Sequence, residues 1–287
     1  MIIASVIIPC KDRQTLMERA VKSIVELDKN KVVEIIVVDD GSDEPLYRPD
    51  VMREWDRIIT LSENRGGAVT RNIGIDNALG QIIYLLDSDD YFISRDFEFD
   101  FKNTKVDCLY YGDVILNDIK SSYPENISIN NYFEYIFHKY PYITQTSTLL
   151  FHKNTYIRFD ENLPKHQDWD LVLYSLKKGI KLEKYKSLTF IDTFDKKSVS
   201  RLSSVEKSMQ WQNKIFLDET IDYLDKFYVC LNTNFKTDSF GFIEFIKNLL
   251  ILFEENKISK KILVLAFLRR YKLTTFIYLF FKKFFRK

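Results

Sequence analysis

Cysteine is scarce and scattered in this chain of 287 residues: Cys10, Cys108 and Cys230 are odd in number and far apart. No disulfide framework or zinc-ligand spacing follows, which points to a reducing compartment, the cytoplasm. Long apolar runs are also missing. The longest uninterrupted ones, such as Ile262 to Leu268, fall far below the roughly 20 residues a membrane-spanning helix needs. The opening "MIIASVIIPCKDR" has no basic leader and no cleavage site, so it reads as a first strand and not as a signal peptide. No G-x-G-x-x-G follows that strand, which argues against a dinucleotide oxidoreductase. Nor does "PCKDR" carry the Gly-rich basic loop that a nucleotidyltransferase would place there. There is no internal repeat, no low-complexity linker and no proline after Pro164.

What is present is an α/β alternation. Hydrophobic residues make up 46% and charged residues 29% of the chain, an ordinary globular balance for one large domain, alone or with an appendage. Ile2 to Ile8 is an apolar, β-branched run of the kind that forms a buried parallel strand. Leu16, Ala20, Ile24 and Leu27 then recur at helical spacing, and Val32 to Val38 gives a second buried strand. Arg57 to Leu61 reads as a third. Gly66 and Gly67 open a helix that carries Arg71 and Asn72, and Gly80 is expected to close it. The next strand, in "QIIYLLDSDDY", stops in the carboxylates Asp87, Asp89 and Asp90. Later segments are less regular. Val106 to Tyr111 and Val114 to Ile119 read as two strands, paired antiparallel, and "LPKHQDWDLVLYSLKKG" reads as a helix with acids at its start and lysines at its end. Lys181 to Asp192 gives a last strand or two, and from about Ser203 the reading is helical.

In an open α/β sheet, ligands bind along the edge formed by the strand C-termini. Pro9, Asp39 and Asp40, Asn64 to Gly67, and Asp87 to Asp90 all fall at such ends. A carboxylate cluster after a buried strand is costly unless something positive neutralises it. A D-x-D supplies part of the oxygen shell of Mg2+ or Mn2+ and leaves the rest to phosphate and water. Asp39 and Asp40 could accept from a ribose hydroxyl or a base N–H, or could simply shape a turn. Arg71 could meet an anion at the start of its helix, or could bridge to one of the aspartates. Of Asp168 and Asp170, which lie on different helix faces, at most one points into a cleft, where a carboxylate could act as general base. His166 competes for that role.

The segments "SVIIPCKDR", "EIIVVDDGSDE", "NRGGAVTRNIGIDNALGQIIYLLDSDDY" and "HQDWDL", in this order, resemble the family 2 inverting glycosyltransferases of GT-A fold. The resemblance covers about Ile2 to Arg201. It implies a Rossmann-like, mostly parallel sheet flanked by helices, acting as a catalytic domain over residues 1–202, with a helical extension over 203–287. It also implies transfer of one sugar, hexosyl or N-acetylhexosaminyl, from a nucleotide-diphosphate sugar, with UDP the expected nucleotide. On this resemblance Pro9, Asp39, Asp40, Gly67, Arg71, Asp87 and Ser88 form the nucleotide-sugar site. Asp89 holds Mn2+ or Mg2+, Asp90 supports it or adds a second ligand, and Asp168 is the general base. Three positions depart from the family pattern. Gln167 stands where Glu is frequent and Lys11 where an aromatic is frequent. "FDKKSVSRLSS" lacks the usual His, although Lys196, Lys197 and Arg201 could meet phosphate instead. The Q-x-x-R-W signature of processive synthases is missing, which favours single-sugar addition. The alternatives are a catalytically inactive membrane-associated scaffold and the nucleotidyltransferase already mentioned.

The net charge of +1 hides an asymmetry. Lys257 to Lys287 carries ten Lys or Arg and no acid, which leaves −9 for the preceding 256 residues. "RRYKLTTFIYLFFKKFFRK" suggests a helix lying in a membrane interface, with phenylalanines down and basic groups toward anionic headgroups. Trp211 to Leu252 is expected to pack on the catalytic domain. The expected partners are a nucleotide-sugar donor, a glycan or lipid-linked acceptor and an anionic membrane surface, with no nucleic acid. The expected location is the inner face of the plasma membrane.

Overall fold

A computed structural model of the chain describes residues 1–116, 118–136, 144–192, 205–221, 225–226 and 229. The chain divides into two compact units, Met1–Leu202 and Ser203–Lys287. The first unit begins with strand β1 (Ala4–Cys10), helix α1 (Gln14–Leu27), β2 (Val33–Asp39) and β3 (Arg57–Thr60). Helix α2 (Gly67–Asn77), β4 (Ile82–Leu85), β5 (Tyr91–Ser94) and helix α3 (Phe97–Asn103) follow. Then come β6 (Cys108–Leu116), β7 (Ile119–Ser121), β8 (Asn126–Ile127), helix α4 (Ile129–Glu134), β9 (Leu150–His152), helix α5 (Gln167–Lys177) and β10 (Lys181–Ile191).

The strands form one sheet in the order β3-β2-β1-β4-β9-β6-β10-β5, with β7 beside β6 and β8 beside β10. The first four are mutually parallel. Nearly every residue of β1, β2 and β4 is buried, so these strands read as continuous β-branched runs and not as alternating ones. Beyond β4 the sheet is mixed: β9 runs antiparallel to both β4 and β6, while β10 runs parallel to β6 and antiparallel to β5. Helix α1 packs on β1 and β5, and α2 packs on β1 and β2.

The topology itself selects a site. The chain builds outward from β1 to β2 and β3, then returns to lay β4 on the other flank of β1. The order therefore reverses between β1 and β4, and a crevice opens at the carboxyl ends of these two strands. The carboxylate cluster follows β4 directly into that crevice.

Several sequence expectations change in detail. Cys108–Leu116 is one continuous strand paired in parallel with β10, not two strands folded on each other. The short β7 supplies the antiparallel neighbour instead. Strand β5 and helix α3 were not anticipated. Gly80 does not close α2, which ends at Asn77. It lies against β1, where an added Cβ would stand 2.3 Å from the carbonyl carbon of Ala4. This close approach is held from below by Glu34, a buried carboxylate inside β2. It accepts from Ser5 Oγ at 2.6 Å and Gly80 N at 3.3 Å and pairs with Arg57 at 3.0 Å.

The described part of the second unit is mainly helix α6 (Val205–Leu217), with Trp211 and Ile215 buried one turn apart. The basic tail from Lys257, Cys230, and Lys196, Lys197 and Arg201 of the "SVS" loop lie outside the described residues.

Candidate active site

Arg71 is the hub of the crevice. It stands one turn into α2, and its guanidinium forks. Nη2 donates to Asp87 Oδ1 at 2.5 Å, and Nη1 donates to Gln167 Oε1 at 2.9 Å. The Phe159 ring lies 5.3 Å from Cζ, a cation–π arrangement that leaves the fork in one plane. Asn72 fixes that ring by exchanging two hydrogen bonds with the Phe159 backbone, each 3.0 Å. Gly67 makes the geometry possible, because a Cβ there would sit 2.8 Å from Arg71 Nη1. Arg71 thus ties the end of β4 to the first residue of α5.

Helix α5 presents Asp168 next to that link. His166 precedes the helix in the left-handed region (φ 59°), and its ring stacks on Trp169 at 4.3 Å. Asp168 Oδ1 accepts from Trp169 N–H at 2.9 Å. Burial raises the Asp168 carboxyl to about 6, with the nearby charge of Asp87 adding to the rise and Trp169 N–H and Arg71 opposing it. His166 moves the other way: burial and the adjacent Lys165 push its imidazole down to about 3. A group that holds a proton only below about pH 3 is a weak base at neutral pH, whereas a carboxylate near 6 suits proton abstraction. Between the two, Asp168 is the better base. Asp170, the other helix acid, is buried. Tyr132, from α4, supports this helix by donating to Trp169 O at 3.0 Å.

The carboxylate turn after β4 is clasped from α1. Arg13 Nη1 donates to Asp89 Oδ2 at 3.2 Å, and Arg19 Nη2 donates to the Asp89 carbonyl. Arg19 also pairs with Asp192 at 2.8 Å, just past β10. On the far side of β1, Asp40 accepts from the backbone N–H groups of Arg65 (2.7 Å) and Gly66 (2.9 Å). Burial still raises its carboxyl, while Lys11 pulls it back. Lys11 itself donates to Gly41 O at 2.6 Å beside this loop.

Residues 5–98 match the sequence model of the family described as Glycosyl transferase family 2. Over this third of the chain the sequence is similar to family 2 glycosyltransferases. An uncharacterized glycosyltransferase of Rickettsia conorii is 37% identical over 100 residues, which is 34% of this chain and 16% of that protein. The GalNAc(5)-diNAcBac-PP-undecaprenol beta-1,3-glucosyltransferase of Campylobacter jejuni is 40% identical over 95 residues, covering 31% of this chain and 30% of that one. The matched segment is thus a sixth to about a third of these relatives' own length. Among solved structures, S. aureus TarS 1–349 in complex with UDP-GlcNAc shares the fold. Its TM-score is 0.59 at 15% identity, over 86% of this chain and 80% of that one. The same protein in complex with UDP gives 0.54 at 16% identity, over 81% and 71%. The first unit therefore has the GT-A fold.

Within the first unit, three expected site residues make structural contacts. Asp39 is fully buried and turns one oxygen to Ser42 (N–H at 3.0 Å, Oγ at 2.5 Å) and the other to Leu46 N–H at 3.4 Å. It shapes the loop in which Asp40 stands and does not face the crevice. Ser88 is buried under the turn against the Cys10 thiol, which burial pushes up to about 11 and so keeps neutral. Asp90 is also buried. It accepts from Ser147 Oγ and, at 2.9 Å, from Asp192 N–H, so both oxygens tie the turn to the rest of the sheet. The other expected residues, Pro9, Asp40, Gly67, Arg71, Asp87, Asp89 and Asp168, stand toward the carboxyl ends of β1, β2 and β4 and the starts of α2 and α5.

Sequence reading missed Arg13 and Arg19, whose positions on α1 become meaningful only once α1 is known to pack beside β5. In sequence Gln167 stands out only as a departure from the family pattern. In the fold it is the acceptor that aligns Arg71.

Proposed function

We propose that this chain is an inverting glycosyltransferase that moves one sugar from a nucleotide-diphosphate sugar, a UDP-sugar, to a hydroxyl of a glycan or lipid-linked glycan acceptor. The observation that carries the reading is the Arg71 fork, which joins the strand-end carboxylate Asp87 to the helix that presents Asp168. A donor-binding edge and a base of suitable pKa are thereby fixed to each other.

In this reading Pro9 and Asp40 line the nucleoside end and Asp87 stands near the ribose. Arg71 lies where it can move from Asp87 to the diphosphate. Asp168 takes the proton of the acceptor hydroxyl as that oxygen attacks the anomeric carbon from the face opposite the leaving diphosphate. A single displacement inverts the anomeric carbon. Arg71 stabilises the charge that develops on the leaving group.

Manganese or magnesium would need an oxygen donor set at this strand end. Among the described residues no three His, Cys, Asp or Glu side chains are placed to cage a cation. Mg2+ and Mn2+ commonly take one or two carboxylates and keep phosphate and water for the rest. Asp89 is the oxygen donor that fits this pattern. When bound, such a cation supplies Lewis-acid stabilisation of the diphosphate.

The Campylobacter relative is a glucosyltransferase of an undecaprenol-linked glycan and the TarS structure holds UDP-GlcNAc, which supports a role in bacterial surface polysaccharide assembly. No helix among the described residues is long and apolar enough to cross a membrane. The basic tail would then hold the protein to the inner face of the plasma membrane. Removing residues 272–287 should weaken binding to anionic liposomes severalfold, and unchanged binding would remove this part of the reading. For the reaction, purified protein incubated with a panel of nucleotide sugars and Mn2+ should release a nucleoside diphosphate. Asp168→Asn and Asp89→Ala should each abolish that release. An inactive scaffold would show no release in any case.

A further inference from the structure

We propose that Arg13 is the built-in counter-ion of Asp89 and makes cation binding depend on the nucleotide diphosphate; this rests on the metal-dependent transferase reading above. Arg13 ends the loop after β1 and stands at the N-cap of α1. Its guanidinium lies 3.2 Å from Asp89 Oδ2, with only 16% of the Arg13 side chain and 12% of the Asp89 side chain exposed. Asp89 is therefore covered by a cation of the protein's own.

The surroundings show why this contact differs from an incidental surface pair. The Asp89 backbone is fixed independently, since Arg19 holds its carbonyl and is itself anchored on Asp192. Asp90 is committed to Ser147 and the Asp192 N–H, and Asp87 is paired with Arg71. The two carboxylates left at the crevice thus each carry an arginine from a different helix.

A divalent cation approaching Asp89 alone meets the Arg13 guanidinium at short range, and like charges in a poorly hydrated crevice oppose each other. A nucleoside diphosphate changes this. Its phosphate oxygens would offer the planar Arg13 fork a pair of acceptors and the cation further ligands, so Arg13 can leave Asp89 without being left unpaired. Cation and diphosphate then bind with positive coupling, and by linkage each raises the affinity of the other by the same factor.

The test measures binding and not turnover. Mn2+ affinity of the full chain is followed by electron paramagnetic resonance and by calorimetry, with and without UDP, in wild type, Arg13→Gln and Arg13→Lys. Wild type should bind Mn2+ weakly alone and about 30-fold or more tighter with UDP, within the usual range of coupled sites. Arg13→Gln should bind Mn2+ alone about tenfold tighter than wild type, and its enhancement by UDP should shrink correspondingly. Arg13→Lys keeps the charge and should keep the wild-type pattern, which separates a charge effect from a disturbed fold. Arg13→Gln with wild-type or weaker Mn2+ affinity in the absence of UDP, while its melting temperature is unchanged, overturns the proposal. If wild type binds UDP but shows no Mn2+ binding in its presence, the metal reading of the site fails first, and the Arg13 proposal falls with it.

Discussion

Asp168→Asn should cost the protein its activity and make it more stable at neutral pH. Burial raises the Asp168 carboxyl from an ordinary 3.8 to about 6 in the folded protein. The folded state therefore holds this proton more tightly than the unfolded chain does. The sign follows directly. Below about pH 4 the carboxyl is protonated in both states and carries no penalty. As pH rises through 6, the folded protein must ionise a desolvated group, and stability is lost. Two pKa units correspond to about 3 kcal/mol as a ceiling, and partial solvent access reduces this to about 1–2 kcal/mol. Asn cannot ionise, yet its side-chain oxygen can still accept from Trp169 N–H. Urea unfolding at pH 7.5 should show Asp168→Asn more stable by about 1–2 kcal/mol, with the gain disappearing at pH 4. A variant that is less stable at pH 7.5, or whose gain does not depend on pH, would contradict the reasoning. The wild-type enzyme should correspondingly lose kcat/KM about tenfold per pH unit below 6, as the base becomes protonated.

Three further substitutions follow from the geometry. Gly67→Ala would bring a Cβ within 2.8 Å of Arg71 Nη1 and 3.3 Å of Gln167 Oε1, both side-chain atoms that can give way. Stability should change by less than about 1 kcal/mol while KM for the donor rises roughly tenfold, measured by steady-state kinetics. Gly80→Ala meets backbone atoms of Ala4 and Ser5 at 2.3 to 2.6 Å, which cannot move aside, so urea unfolding should show a loss of about 3 kcal/mol or more. Asp90→Ala leaves the buried Ser147 hydroxyl and the Asp192 N–H without their acceptor. A loss of about 2–4 kcal/mol is expected, with Mn2+ affinity in the presence of UDP unchanged, as a structural rather than ligating carboxylate requires.

The parts of the fold that sequence discloses are those governed by local pattern. β1, β2 and β4 are unbroken apolar runs because both their faces are covered, and the acids that end them mark the crevice edge without any tertiary information. The mixed half of the sheet is less legible. The pairing of Cys108–Leu116 with β10 joins segments about 70 residues apart, and nothing local distinguishes it from a hairpin. The same limit divides the site residues. Arg71 and Asp168 stand out through helix position and chemistry. Asp39 and Asp90 look identical in sequence to their neighbours Asp40 and Asp89, and only the fold shows that Asp39 bonds within its own loop and Asp90 to Ser147 and Asp192. Ser147 and Asp192, which take up Asp90, lie 57 and 102 residues beyond it. Of the two roles the sequence offers Arg71, the bridge to an aspartate is the one the fold contains, at Asp87.

The central claim is that Asp168 deprotonates an acceptor while Arg71 and Asp89 serve a nucleotide-sugar donor. Its most direct test is nucleoside diphosphate release from UDP-sugars by the purified chain in the presence of Mn2+, compared between wild type and Asp168→Asn. The account predicts turnover in wild type and a loss of at least about a thousandfold in the variant, while UDP binding by the variant is retained. Release by Asp168→Asn at the wild-type rate, or no release from any nucleotide sugar by a wild-type protein that folds, would contradict it.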